Sequence, residues 1–288
     1  MNIRQSFTQD KPTLYVVSTP IGNLEDITMR ALRLLSDVSV IYAEDTRRAR
    51  ILTQHYQINT PLKSYHAHNE LSRVEEIIQS LEEGHSLALI SDAGTPRISD
   101  PGDIVIPAII DAGYPVVPIP GPAAFLSALM GAKESTQAFV FLGFIPQQNK
   151  ARDALLKRVK SYPETLIFYE APHRLLETLT HLHQRLGARK VTLAKELTKK
   201  FETFYDFTLQ ETNEIPDIMG EYVIIVEGAA DAPTLTQTDM VEHVLLLIED
   251  GFSEMDAIKE VAKQRKLKKN VVYMAYQQHK QSLLEEGS

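Results

Sequence analysis

Apolar residues in the first part of the chain come as short β-rich runs alternating with helical spacings. Leu14–Ser18, Val38–Ala43 and Leu87–Ser91 read as strands, whereas Ile27–Leu35 and Val74–Leu81 place apolar positions three and four apart. Such alternation predicts βαβ units around a mostly parallel sheet. From Phe139 the texture changes. Phe139–Phe144, Thr165–Tyr169, Val191–Ala194, Thr203–Leu209 and Tyr222–Val226 are strand-like, with only two clear helices, Ala151–Lys160 and Pro172–Leu186, among them. No long helix separates the last two strands, so the second sheet is expected to contain antiparallel pairs. Ala229–Thr238 has linker composition, and Met240–Ile248, Met255–Arg265 and Asn270–Gln281 then read as helices. The predicted order is a flexible N-terminus (1–12), an α/β domain with a mostly parallel sheet (13–135), a second α/β domain with a mixed sheet (136–230), and a small helical module (231–288).

With 43% apolar and 24% charged residues, the 288-residue chain has ordinary globular composition. There is no cysteine, which excludes disulfides, thiolate zinc sites, iron–sulfur clusters and cysteine nucleophiles together. The longest apolar runs, Ile104–Ile110 and Phe125–Ala132, fall far short of the ~20 residues that span a bilayer. Met1–Pro12 is polar and lacks the apolar stretch of a secretory signal, so a cytoplasmic protein without membrane contact is expected. The formal charge of −8 argues against a nucleic-acid partner, but it is an average. Lys259, Lys263, Arg265, Lys266, Lys268, Lys269 and Lys280 stand against Glu260 alone, so this stretch carries +6 and the remainder −14. Either the tail has a solvated basic face, or it touches nucleic-acid phosphate through residues such as Lys266, Lys268 and Lys269.

Several chemistries lack their motifs. No two of the thirteen glycines stand in a G-x-G arrangement, so the dinucleotide fingerprint and the common Rossmann methyltransferase loop are missing. There is no P-loop and no G-x-S-x-G. His66 and His68 can share a strand face, but two histidines without a third ligand make a poor metal site, and no metal is expected.

Three glycine- and proline-containing loops stand out: Ser18-Thr19-Pro20-Ile21-Gly22-Asn23, Ser91-Asp92-Ala93-Gly94-Thr95-Pro96 and Ile119-Pro120-Gly121-Pro122-Ala123-Ala124. Ligands of parallel sheets bind at the carboxyl ends of the strands. Glycine there admits a ligand close to the backbone, and proline fixes the loop's shape in advance. The same residues also make ordinary turns. Polar clusters occupy neighbouring strand ends: Ala43-Glu44-Asp45-Thr46-Arg47, His66-Ala67-His68-Asn69-Glu70 and Phe168-Tyr169-Glu170-Ala171-Pro172-His173-Arg174. Asp45, Thr46 and Asn69 are also natural helix caps, and Tyr169 is either a core residue or a platform for adenine. Glu196-Leu197-Thr198-Lys199 and Gly220-Glu221-Tyr222 close two further strands.

Taken in order, from about Thr13 to Gly228, these motifs, with Asp100-Pro101-Gly102, resemble one family. It is the small-subunit ribosomal RNA methyltransferase I group within the tetrapyrrole-methylase superfamily of S-adenosylmethionine enzymes. The resemblance implies two α/β domains with the methyl donor in the cleft between them, and a homodimer. It also implies methylation of the ribose 2′-hydroxyl of a cytidine, position 1402 in rRNA numbering, in the decoding centre of 16S rRNA, either free or within the 30S subunit. Lys195 departs from the arginine that usually precedes the glutamate of this motif.

For such a reaction a base near the hydroxyl is needed, and Glu44, Asp45 and His66 are the candidates. Asp92 suits the ammonium of the donor's methionine part. Pro20, Gly22, Ser91, Ala93, Gly94, Thr95, Gly121, Pro122 and Ala123 are expected to frame the donor, with Tyr169 and Tyr222 contributing from the second domain. Arg47, Asn69, Arg174 and Lys199 are the expected rRNA contacts beside the basic tail. Two other classes remain open: a small-molecule methyltransferase of the same superfamily, which needs no basic tail, and a non-catalytic rRNA-binding protein, which needs no donor pocket.

Overall fold

A computed structural model describes residues 3–6, 11–66, 69–214, 220–230, 240–249, 251–265 and 267–286. His68 and Lys266, both singled out above, lie outside these residues, as do Ala67, positions 1–2 and 7–10 of the N-terminal segment and most of the linker. The chain up to Gly228 forms one compact unit that holds both sheets, and the chain from Ala229 forms another.

The first sheet has five strands, β1 (Leu14–Val17), β2 (Val40–Ala43), β3 (Leu62–Ser64), β4 (Leu87–Ile90) and β5 (Val116–Ile119), in the order β3-β2-β4-β1-β5. Every pairing is parallel. Its inner strand β4 is buried at all four positions, as expected where helices cover both faces. Those helices are α1 (Met29–Asp37), α2 (Thr46–His55), α3 (Glu70–Glu82), α4 (Val105–Asp111) and α5 (Ala124–Gly131). Two cores result, one around Leu35, Ile41 and Ile90, the other around Leu14, Ile77 and Leu89. Local chemistry starts the helices: the Thr28 hydroxyl accepts from Ala31 N–H at 3.1 Å to open α1, and Asp45 opens α2 in the same manner.

The second sheet is mixed. Its strands β6 (Phe139–Phe144), β7 (Thr165–Glu170), β8 (Lys190–Lys195), β9 (Thr203–Thr208) and β10 (Tyr222–Val226) run in the order β6-β7-β10-β8-β9. Only β6–β7 is parallel; β7–β10, β10–β8 and β8–β9 are antiparallel. Helices α6 (Asn149–Val159) and α7 (Leu175–Leu186) pack against it around Phe168 and Leu179. The second unit contains α8 (Met240–Glu249), α9 (Glu254–Gln264) and α10 (Lys269–Glu286), joined by a core that includes Val244, Ile258, Val261 and Val272. Among the described residues no helix is long and apolar enough to cross a membrane.

The helix expected from Pro172 begins instead as a short 3₁₀ turn, Pro172–Arg174, before α7. His66 lies beyond the end of β3 in irregular backbone, so the strand face proposed for it is not formed.

Candidate active site

Strands β4, β1 and β5 are neighbours, so the three glycine- and proline-containing loops at their carboxyl ends stand side by side. They are also laced together. Thr19 N–H donates to Gly94 O at 2.8 Å, and Gly94 N–H returns a bond to Thr19 O at 3.0 Å. The Thr95 hydroxyl donates to Pro122 O at 3.1 Å and lies 3.0 Å from Ser18 Oγ, which leaves Ser18 as the donor to Thr95. Two glycines are required here by space and backbone. Gly94 has φ +82°, and a Cβ at Gly121 would stand 2.9 Å from Ser18 Cβ.

Between this rim and the second sheet lies a cavity of about 480 Å³. The first domain lines it with Glu44, Asp92–Thr95, Ile98–Asp100 and Ala123, and the second with Phe144, Tyr169, Glu170, Leu197 and Tyr222. Contacts between the two halves frame it. A Cβ at Gly22 would sit 2.7 Å from both Lys199 Cγ and Thr198 Oγ1, so the loop after β1 is seated directly on the loop after β8. A second contact joins the halves: Tyr169 Oη accepts from Phe125 N–H at 3.1 Å and so holds the first turn of α5. The Tyr169 ring meets Phe141 and Phe144 at 4.9 and 5.6 Å, and burial pushes its hydroxyl pKa up to about 12.

The cavity is acidic. Asp92 accepts from Asp45 N–H at 2.8 Å and pairs with Arg48 at 3.5 Å. Glu44 is partly buried, and burial followed by the nearby Asp92 charge raises its pKa, against the lowering pull of Arg48 and His66. Asp100 is raised further, to about 7, first by burial and then by the Glu44 and Asp92 charges. Glu170 is 2% exposed and structural in its bonding. It accepts from Ala171 N–H at 2.9 Å and from the Thr178 hydroxyl at 2.6 Å, with Arg174 at 3.4 Å.

Of the residues singled out in the sequence, Glu44, Asp92, Ala93, Gly94, Thr95, Ala123, Tyr169 and Tyr222 line this cavity. Pro20, Gly22 and Ser91 line a smaller pocket of about 340 Å³ that also touches Asp92 and Lys199. Gly121 borders a separate cavity along the edge strand β5, and Pro122 contributes its carbonyl to Thr95. Asp45 caps α2, and its carboxylate receives the Arg47 guanidinium at 2.7 and 3.0 Å, which holds its pKa down at about 2. His66 is near enough to Glu44 to act on its charge.

The expected rRNA contacts are more committed than their sequence positions imply. Asn69 accepts from His66 N–H at 2.8 Å and donates to Ser64 O at 3.3 Å, shaping its own loop. Arg174 donates to Ile145 O at 2.7 Å. Lys199 bridges Glu196 and Glu221 at 3.0 and 3.2 Å. Arg47 is 90% exposed at its side chain, and Lys268 and Lys269 are exposed in the second unit. Sequence reasoning missed Asp100, Arg48, Leu197 and Glu221 as cavity residues, although the first and the last two stood inside motifs it had marked. The signal available for Asp100 was its place just before Pro101-Gly102 in a loop that also follows β4.

The geometry meets known proteins at this point. Residues 13–213 match the family described as Tetrapyrrole (Corrin/Porphyrin) Methylases. Ribosomal RNA small subunit methyltransferase I of Halalkalibacterium halodurans is 43% identical over 96% of this chain and 100% of its own length. The protein of the same name from Bacillus subtilis is 44% identical over 93% of this chain and 94% of its own. The chain belongs to this methyltransferase family. Among solved structures, the methyltransferase CobJ superposes with a TM-score of 0.60 at 19% identity, covering 76% of this chain and 95% of that one. Uroporphyrin-III C-methyltransferase of Thermus thermophilus, solved with S-adenyl homocysteine, gives 0.55 at 16% identity, over 75% and 97%. These structures share the fold of the family's two α/β halves, which is the part of this chain that carries the cavity.

Proposed function

We propose that the chain methylates the ribose 2′-hydroxyl of a cytidine in 16S rRNA, position 1402 at the decoding centre, with S-adenosylmethionine as donor and the small ribosomal subunit in the cytoplasm as the setting. The observation that carries this reading is the acidic cavity at three laced strand ends, in a chain whose full-length relatives are named as small-subunit rRNA methyltransferases. The cavity suits the donor in size and in chemistry. About 480 Å³ lies within the range of small-molecule sites. Its rim offers close approach at Gly94, and its carboxyls, among them Glu44, Asp92 and Asp100, suit a ligand that carries positive charge.

The donor supplies an electrophilic methyl carbon, which bonds to the ribose oxygen as the carbon–sulfur bond breaks and its electron pair stays on sulfur. What the chain adds is position and a proton acceptor. Asp92 is held by Asp45 N–H and Arg48, which leaves it a fixed acceptor for an ammonium group. Glu44, whose raised pKa makes it a better base than an ordinary carboxylate, takes the hydroxyl proton. Asp45, capping α2 and bound to Arg47, is a poor acceptor and serves to fix the loop that carries Glu44. Arg47 beside that loop, and Lys268 and Lys269 on the second unit, meet rRNA phosphate. Exposed Leu126 and Met130 on α5 support self-association as a homodimer. The test is nucleoside analysis of rRNA after reaction: 2′-O-methylcytidine is expected, and a methyl group found only on a base would overturn the assignment.

A further inference from the structure

Asp100 sits on a segment whose backbone is strained in a way that glycine alone tolerates easily. Arg97 and Ser99 have φ of +73° and +65°, and Gly102 has φ +141°. Non-glycine residues with positive φ are strained and persist only where surrounding structure fixes them. Here it does. Arg97 closes the segment onto Asp103 at 2.7 Å. On the far side, β6 breaks register between Phe141 and Phe144, and Gly143 there (φ +66°) leaves room for Ser99, whose Oγ would lie 3.1 Å from an added Cβ. The buried Glu70 of α3 fixes the following helix by accepting from Ile104 N–H at 2.8 Å and Val105 N–H at 3.1 Å. The segment is thus clamped between both halves, and the residue it presents to the cavity between two clamped neighbours is a carboxyl.

The charged groups around that carboxyl are mostly of its own sign. Glu44 comes from the loop after β2 and Asp92 from the loop after β4. The neutral Ser91 hydroxyl, which donates to Gly94 O at 3.3 Å, is near enough to favour its charged form slightly, and from the second sheet the Tyr169 hydroxyl senses its charge. The nearby cations are already engaged: Arg48 with Asp92 at 3.5 Å, Arg97 with Asp103, and Arg174 with Glu170 at 3.4 Å. His66 faces Glu44. Of the five carboxyls that line the cavity, Glu170 and Glu221 are paired with Arg174 and Lys199, which leaves Glu44, Asp92 and Asp100 facing the single guanidinium of Arg48, and a sulfonium donor adds a positive charge.

We propose that Asp100 reads the positive sulfonium of the methyl donor, holding a proton when the donor is absent and releasing it to solvent when the donor binds. The proposal rests on the reading of the cavity as the donor site. Burial and the like charges of Glu44 and Asp92 make the neutral acid the main form below about pH 7, and a cation placed in the same cavity favours the carboxylate. Binding is then linked to loss of a proton, so donor affinity weakens as pH falls. The demethylated product brings the same ammonium and carboxylate, whose opposite charges offset, but its sulfur is neutral, so it makes no such demand and is bound without the link. Asp100 therefore sets the preference for donor over product, which is a selectivity based on charge rather than shape.

Calorimetric titration of the full-length protein with S-adenosylmethionine and with S-adenosylhomocysteine, in two buffers of different ionisation enthalpy, tests this without any activity measurement. Near pH 6.5 the donor should release a large fraction of one proton and the product almost none. Donor affinity should fall roughly eightfold between pH 7.5 and pH 6, as one linked group titrating near 7 requires, while product affinity stays flat. Asp100→Asn should abolish the release and narrow the donor-to-product preference. Equal proton release with both ligands, a donor affinity independent of pH, or release that survives in Asp100→Asn would each overturn the proposal. The comparison of the two ligands uses the unaltered protein, so it holds even if the variant folds poorly. Failure of both ligands to bind would remove the donor-site reading itself, a different result from binding without a linked proton.

Discussion

Asp45 donates its backbone N–H to Asp92 Oδ1 at 2.8 Å, which ties the loop after β2 to the loop after β4. Glu44 and Asp92, the base and the ammonium acceptor proposed above, are therefore positioned by one hydrogen bond between adjacent strands. Asp92→Ala should leave that N–H without its acceptor at a cost of about 1–3 kcal/mol, release Arg48, and weaken donor binding at least tenfold. Asp92→Asn keeps an acceptor oxygen and should hold the loop while losing the charge. Thermal melts and donor titration of the two variants separate the two effects.

Glu44→Gln removes the proton acceptor without changing the size of the side chain. Turnover should fall ~10²–10⁴-fold, the range for loss of a general base, with donor affinity near that of the unaltered protein. Asp45→Asn, which keeps an oxygen for the α2 cap, should cost turnover far less. Single-turnover rates alongside donor titration check both.

Asp100 carries a stability consequence whose sign is opposite to that of a paired carboxylate. Its pKa is raised from 3.8 to about 7 in the folded protein, so between those values the folded state binds more protons than the unfolded chain. Stability accordingly falls as pH rises through this window and stays lower above it. The shift sets a ceiling of roughly 4 kcal/mol, and water in the open cavity reduces it to about 1–2 kcal/mol. Asp100→Asn should therefore raise the melting temperature by about 3–6 °C at pH 8, with the gain gone by pH 4. Melts at the two pH values give the answer.

Gly22 should tolerate no side chain. A Cβ would stand 2.7 Å from Lys199 Cγ and Thr198 Oγ1 and 2.9 Å from Leu197 O, so one half must shift against the other. Gly22→Ala should cost about 1–3 kcal/mol and reduce turnover through the displaced cavity wall. Its melting temperature and donor affinity should fall together.

Charge reversal at Lys268 and Lys269 addresses the rRNA contact. Lys268→Glu with Lys269→Glu should raise the KM for the ribosomal subunit and reduce its salt dependence, because fewer counterions are released on binding. The maximal rate should change little. Kinetics at several salt concentrations measure both.

Much of the fold can be read from the sequence where one face is buried or the strand is wholly internal. The strands at Phe139–Phe144 and Tyr222–Val226 have the boundaries that their apolar runs indicate. The helix α5 is hidden because Phe125–Ala132 is apolar almost throughout, which gives no face to its periodicity. The strand β5 is obscured by Pro118, tolerated because β5 is the edge of its sheet. The rim loops were legible because glycine and proline mark backbone shape locally. Asp100 was not, since its character comes from Glu44 and Asp92 on other loops. Likewise Arg174 and Lys199 look like free cations in sequence, and only the fold shows the carbonyl and carboxylates that hold them.

The most direct measurement is transfer of labelled methyl from S-adenosylmethionine to 30S subunits that lack the modification, with naked 16S rRNA and the Glu44→Gln variant alongside and the labelled nucleotide mapped. Label in a 2′-O-methylcytidine at the decoding centre, lost with Glu44→Gln, is the expected result. No transfer to either RNA substrate by protein that binds the donor, or label at another kind of atom, would contradict it.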